Sequence, residues 1–409
     1  QAVPVFAAGE SSRVMKHTAS LAAPAGVRWY VLSEGEPTDI SAALLIDGNS
    51  LSLRGIYAND TIMAAIPGQR SGRRMMINVV PKVFDGEGTA QSPFLIKDKA
   101  DFMRLHDAVM HYDHRGDFFR QTADVDFGQS SDFSGVGAGN HLKAFAGTFD
   151  GAGHRIKGLK IDSYRVSASG TLLEGTYNYG GLFHIGAPES VIKNVVIDSD
   201  CRLNFYNQSG AIIGYTEGRV EDCRNYAAVS GVQQTGGIVG YIEQGGAVSG
   251  CYNAGTVRGS RDYTGGIAGQ NMGTLANSQN DADITGTKYV GGVAGASAGS
   301  VSFGVNSAII TGDEYTGGVI GSNSAGYSMG DVTDCLSSGF VICPESTCGG
   351  VVGYSNGRGT VERNFYDASI NNMDGCSSLS QGFTPLATSQ LVRKQAPESI
   401  NTERYYFSA

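Results

Sequence analysis

Long apolar runs are missing from this chain. No stretch approaches the roughly eighteen consecutive apolar residues that a membrane-spanning helix needs, so no membrane span is expected. Proline is scarce: 10 prolines against 59 glycines exclude a collagen-like or Pro/Gly-rich disordered chain, in which the two rise together. Positive charge is in the minority, 30 Lys and Arg against 39 Asp and Glu, and the net charge of −9 argues against a nucleic-acid partner. The one basic cluster, Arg70, Arg73 and Arg74, reads as a solvated strand end. Cysteine is odd in number and thinly spread, 7 in 409 residues, which argues against a disulfide framework. A zinc-peptidase motif is also lacking: none of His17, His106, His111, His114, His141, His154 or His184 begins a His-Glu-x-x-His sequence. His111 and His114, beside Asp113, come nearest to a metal cluster and are expected at the solvated end of a helix. No cofactor and no metal are expected. A start at Gln1 without Met fits a processed leader, and export stays open on that ground.

Glycine, by contrast, recurs in register. A small-Gly step returns seven times, with its second position at Gly181, Gly210, Gly237, Gly266, Gly292, Gly318 and Gly350, in steps of 29, 27, 29, 26, 26 and 32 residues, and the last five copies complete a small-Gly-x-x-Gly signature. A period in that range marks a solenoid. One copy runs Gly246-Ala247-Val248-Ser249-Gly250-Cys251-Tyr252-Asn253, then Val257, Gly259 and Tyr263-Thr264-Gly265-Gly266. Three short strands per coil, each bounded by Gly or Asn, describe an all-β chain folded as a right-handed parallel β-helix.

Stacking places equivalent residues of successive coils above one another, at about 4.8 Å per coil. Cys223, Cys251 and Cys335 then share a column with Ser278, Gly304, Asn194 and Asn364, a mixture that suits a cramped interior position. Asn225, Asn253, Asn280 and Asn306, ended by Ser337, form a second column whose amides are expected to hydrogen-bond along the stack. The paired glycines, Gly237, Gly266, Gly292, Gly318 and Gly350, are needed either for positive φ or because a Cβ would strike the coil above. Tyr263, Tyr289 and Tyr315 recur two residues before Gly-Gly. Pointing outward, they would form a strip able to stack on sugar rings or anchor a protein; pointing inward, they would fill the core.

The repeat does not cover the whole chain. Residues 1–88 read as short strands separated by Gly, Asn and Asp, including the only Trp, Trp29, and suggest a small immunoglobulin-like β-sandwich. Residues 89–370 hold the solenoid. Near its start, over 98–111, Asp98 and Asp101 can cap a helix whose apolar face is Phe102, Leu105, Val109 and Met110, placed to cover the open end of the solenoid. Residues 371–409 lose the repeat and are expected to cap the last coil, with a short helix starting at Thr388 or Ser389. Cys343 and Cys348 are close enough to bridge in an oxidising compartment, although Pro344 between them leaves the pairing open.

The Gly-Gly-Ile-Val-Gly and Gly-Gly-Val-Ala-Gly copies resemble the GLUG-repeat family. So do the lead-in Pro93-Phe94-Leu95-Ile96 and the run Phe145-Ala146-Gly147-Thr148-Phe149-Asp150-Gly151-Ala152-Gly153. Such repeats occur in surface proteins of gut bacteria, in haemagglutinin-type adhesins and in the non-catalytic part of immunoglobulin A-specific metallopeptidases. The resemblance, over residues 93 to 370, implies a secreted or cell-surface bacterial protein that binds a host glycoprotein, a glycan or another surface ligand, or serves as a display scaffold. Parallel β-helices also carry polysaccharide lyases and hydrolases, which keeps an enzyme as the alternative. Glycosidase carboxyl groups sit about 5 to 9.5 Å apart, whereas Asp222 and Asp334 share a column four coils apart, with Gly250, Asn277 and Phe303 between them. Arg155-Ile156-Lys157, which looks like a pectin-hydrolase motif, is better read as a first-coil strand.

Overall fold

The computed structural model describes residues 84–111, 114–139, 141–163, 178–324, 330–344 and 347–391, together with the backbone of short strands between Leu21 and Val79. Between Phe94 and Leu386 the described residues form a parallel β-solenoid of about nine turns. Its strands stack into five sheets of ten, ten, seven, seven and six members, paired parallel throughout.

A full coil carries five strand segments rather than the three expected from the repeat. In one coil they are Arg219–Glu221, Arg224–Asn225, Ala228–Gly231, Gln233–Gly236 and Val239–Ile242; the next coil begins with Ala247–Ser249 lying on Arg219–Glu221. The extra divisions fall at Asp222-Cys223, where Asp222 takes a left-handed backbone (φ 53), and at the single residue Val232. A left-handed residue breaks the alternation of a pleated strand, so one extended side becomes two.

Inside, like residues meet like. The Nδ2 of Asn225 donates to Oδ1 of Asn253 at 2.9 Å, Asn253 to Asn280 at 2.8 Å and Asn280 to Asn306 at 2.9 Å. Each amide also donates to a carbonyl two residues on (Ala227, Gly255, Ala282, Ala308) and accepts from the N–H of the same residue, so these fully buried side chains satisfy the backbone of their own turn. Gly237, Gly266 and Gly292 lie against the ladder. A Cβ on any of them would collide with the next coil's carbonyl and with Asn253, Asn280 or Asn306; Gly318 faces Ser337 and Gly350 faces Tyr366 in the same way. None of these five has positive φ, so lack of space is what requires glycine.

Two register assignments differ from the sequence reading. Arg224 pairs with Val196, which puts Val195 beneath Cys223; Asn194 belongs instead with Asp222 in the left-handed turn. Ser209 pairs with Thr235, so Gly210 aligns with Gly236 and the buried Ala211 takes the second glycine's place. Cys223, Cys251, Ser278, Gly304 and Cys335 do share one file, because the residues after them pair in sequence. Burial pushes the Cys223 thiol well up and the Cys335 thiol up to about 12, leaving both inert at neutral pH.

The helix Lys99–His111 opens with Asp98 Oδ1 accepting the Asp101 N–H (3.0 Å), while Asp101 Oδ2 accepts from the N–H of Lys97 (2.9 Å). Its buried Phe102 packs on Phe127, Phe133 and Phe149, and Leu105 and Val109 are buried beside it. His114 is not solvated: it is buried, stacks on Phe145 and accepts the Ala146 N–H on Nε2 at 2.9 Å, while the side chains of His111 and Asp113 lie outside the described residues. At the other end Phe383–Leu386 adds a last strand to Asn364–Asp367, and a 3₁₀ turn, Thr388–Gln390, precedes the buried Leu391. Asn371 stands in for a further coil, accepting from Val341 N–H (2.9 Å) and donating to Gly339 O (2.9 Å). Cys343 and Cys348 form a disulfide. The sandwich expected over residues 1–88 lies mostly outside the described residues, which there comprise two antiparallel sheets of three and four short strands.

Replacing Asn253 by Ala removes the middle of the ladder and strands buried partners on both sides. We expect a loss of about 3 kcal/mol in urea unfolding, with Gly266→Ala at least as harmful because backbone must move. Thiol titration with a disulfide-exchange reagent checks the interior: the native protein should stay unreactive, unfolding should release the five buried free thiols, and prior reduction should raise the total to the chain's 7.

Candidate functional site

Two neighbouring files of side chains run along one edge of the solenoid. Backbone pairing aligns Tyr179, Gln208, Gln234, Tyr263, Tyr289, Tyr315 and Thr347 in the first. It aligns Ile185, Tyr215, Tyr241, Gln270, Ala296, Ser322 and Tyr354 in the second. The chain turns sharply between them, with Gly295, Gly321 and Gly353 lying directly over the backbone of Tyr263, Tyr289 and Tyr315, where any Cβ would collide. This crossing offsets the files by one coil. Tyr179 thus meets Tyr215 (5.7 Å between ring centroids), Gln234 donates to Gln270 (2.6 Å) and Tyr315 meets Tyr354 (5.3 Å).

In the middle of the ribbon a large side chain meets a small one. Tyr263 and Tyr289 lie over Ala296 and Ala298 with Met272 beside them, and the smallest residues of the second file, Ala296 and Ser322, stand where the first file is tyrosine. All three tyrosines are half-buried, so they point outward and lean on the sheet. Their rings stack on one another at 5.0 Å, with interplanar angles of 9° and 8°; Tyr215 and Tyr241 stack likewise at 5.5 Å and 2°. Tyr289 therefore has a tyrosine against each face. Sugars have no room to stack on the faces that these rings turn to one another, because the coil step is about 4.8 Å. Ring edges and hydroxyls are what the ribbon presents.

Backbone conformation sets these tyrosines apart. Their φ values are 67°, 58° and 52°, and Gln208 and Gln234 in the same file have 40° and 53°. The other left-handed file, Asn194, Asp222, Gly250, Asn277, Phe303, Asp334 and Arg363, is mostly Asn, Asp and Gly, the residues that tolerate this region. A bulky aromatic there costs of order 1 kcal/mol or more.

Charge beside the ribbon alternates in sign along the file Asp262, Lys288, Glu314. Lys288 Nζ bonds Glu314 at 2.8 Å and sits 5.3 and 5.2 Å over the Tyr289 and Tyr315 rings; the bond to Glu314 raises its pKa. Burial raises the Tyr263 and Tyr289 phenols, which stay protonated at neutral pH. Near the N-terminal end, Tyr215 donates to Glu243 (2.8 Å), and His141 stands edge-on to Tyr215 (5.0 Å) with its Nδ1 3.4 Å from Glu217.

The remaining sequence candidates are separate from this edge. Asp334 is held by Arg363 through two hydrogen bonds of 2.7 and 2.8 Å, one coil away and remote from Asp222. Arg155–Lys157 is a strand whose charges pair with Asp198 and Asp124. Among the described residues no group of three His, Cys, Asp or Glu is placed to hold a metal. The sequence reading missed Tyr215, Tyr241 and Tyr354, although each directly follows a glycine that recurs with the repeat, at Gly214, Gly240 and Gly353.

No protein-family model matches the chain. A stretch of 167 residues, 39% of the chain, is 26% identical to Halomucin of Haloquadratum walsbyi (strain DSM 16790 / HBSQ001), of whose length it spans 2%. A candidate immunoglobulin A1 protease from Bacteroides ovatus superposes with a TM-score of 0.50 at 17% identity, over 75% of this chain and 87% of that one. An IgA1 protease superposes with a TM-score of 0.41 at 11% identity, over 87% of this chain and 29% of the other. The Bacteroides ovatus likeness shows a shared β-solenoid fold.

Proposed function

We propose that this chain is a non-catalytic recognition region of a secreted or cell-surface bacterial protein, in which the solenoid holds the tyrosine ribbon out to a host glycoprotein, a glycan or another surface ligand. The observation that carries the reading is the run Tyr263, Tyr289, Tyr315 at left-handed backbone. Strain of this kind persists where a side chain is worth more than backbone comfort, and it gathers at binding sites. Tyrosine also combines apolar area with a polar tip, which suits exposed contacts.

The Cys343–Cys348 disulfide suits an oxidising exterior, where such bonds persist. The fold likeness to the candidate immunoglobulin A1 protease suits an accessory region of a larger surface protein. In this reading the solenoid is of the GLUG type, residues 1–88 form an immunoglobulin-like sandwich at one end, and residues 371–409 close the other. An enzyme draws no support from the carboxylates that the repeat aligns, since Asp334 is committed to Arg363.

Glycan and host-glycoprotein arrays test the proposal. The wild-type chain should bind a defined subset, and a Tyr263→Ala/Tyr289→Ala/Tyr315→Ala variant with unchanged circular dichroism should lose about tenfold or more in affinity. Unchanged binding by that variant would remove the ribbon from consideration. Release of products from host or plant polysaccharides would overturn the non-catalytic assignment.

A further inference from the structure

The ribbon has a direction, a step and a rim chemistry, and together these narrow its ligand. From Tyr179 to Thr347 and from Ile185 to Tyr354 it spans seven levels, about 29 Å at the coil step of about 4.8 Å. With ring faces turned to one another, the groups left for a ligand are phenol hydroxyls and ring edges, interrupted by the Gln234–Gln270 amide pair. Fixed charge beside the ribbon is acidic on balance, with Asp262, Glu314, Glu217 and Glu243 along it and Lys288 already engaged by Glu314 and two rings, which disfavours an anionic ligand.

Three polymers fit this edge poorly. An extended peptide advances about 3.3 Å per residue, so same-face side chains recur at about 6.6 Å and drift out of step with the coils at once. An α-helix has a pitch of about 5.4 Å but needs an apolar stripe opposite its own, whereas this rim is hydroxyl and amide. A polyanion such as a nucleic acid meets a chain of net charge −9.

Resting on the recognition role proposed above, we infer that the ribbon binds a neutral, extended polysaccharide chain lying along the solenoid axis, with one pyranose ring to each coil step and contacts made through tyrosine hydroxyls instead of ring faces. The protein offers hydroxyls at every coil and the polymer offers them at every ring, so contacts add along the chain although the two repeats are not identical. Each sugar's hydroxyls face the phenol groups of one or two coils, and the chain need not bend.

Titration calorimetry with cello-oligosaccharides from the dimer to the hexamer reads the inference directly. Affinity should climb with each added ring, and polygalacturonate, a charged chain of similar build, should bind more weakly than a neutral oligomer of equal length. The decisive variant is Tyr263→Phe/Tyr289→Phe/Tyr315→Phe, which keeps the stack and removes only the hydroxyls. It should lose about tenfold or more, as much as the triple Ala variant. If the Phe variant binds like wild type while the Ala variant fails, the hydroxyl contact is wrong and the recognition role stands. Affinity independent of oligomer length, or absence of cello-oligosaccharide binding in a protein that still binds host glycoproteins, overturns the axial polysaccharide and spares the recognition role. Binding unaffected by either variant sinks both.

Discussion

Backbone hydrogen bonding between parallel coils fixes a step of about 4.8 Å, and every side chain in the solenoid must be compatible with a neighbour at that distance. A residue that can donate to its own kind and accept from it gains from the arrangement: Asn225, Asn253, Asn280 and Asn306 hand one amide to the next and still close their own turns. A residue that cannot share space must shrink, which is why glycine stands at 237, 266 and 292 against that ladder. Flat rings are a third solution. Tyr263, Tyr289 and Tyr315 stack at 5.0 Å because the coil step brings them into face contact.

The same step makes the coil intolerant of local variation and explains where variation occurs. Ladder positions keep to residues that satisfy buried backbone groups, and the Asn file ends where Ser337 replaces the amide. The ends of the solenoid need substitutes for a missing coil. Asn371 supplies one with its side chain, taking both the donor and the acceptor role of a neighbouring strand toward Gly339 and Val341. Aromatic mass supplies the other, with Phe102 of the helix set against Phe127, Phe133 and Phe149.

Periodicity made the solenoid, the Asn ladder and the glycine file legible, since a recurring residue type at a fixed spacing carries its own reason. What the pattern did not carry was phase. The shift of Asn194 out of the cysteine file and of Gly210 out of the second glycine file are one-residue errors, and only backbone pairing sets register at that level. The division into five segments depends on positive φ at residues such as Asp222 and Phe303; Asp announces that conformation weakly and Phe does not announce it. His114 was misplaced for a related cause, because its burial rests on Phe145 and Ala146, about thirty residues further along the chain, which no local pattern announces. For the tyrosines, recurrence was visible while direction and ring contact were not. The companion file at Tyr215, Tyr241 and Tyr354 was overlooked because Gln270, Ala296 and Ser322 interrupt it.

Those interruptions are themselves informative. The second file is small beside Tyr263 and Tyr289 and aromatic beside Tyr179 and Tyr315, so tyrosine meets tyrosine toward the two ends of the ribbon and meets Ala296 or Ser322 in its middle. The middle tyrosines lean on small neighbours and stay half-exposed, which leaves their outer edges to a partner that touches several levels at once. The strain held at three successive left-handed tyrosines points the same way, because Asn or Gly would relieve it and leave the coil intact.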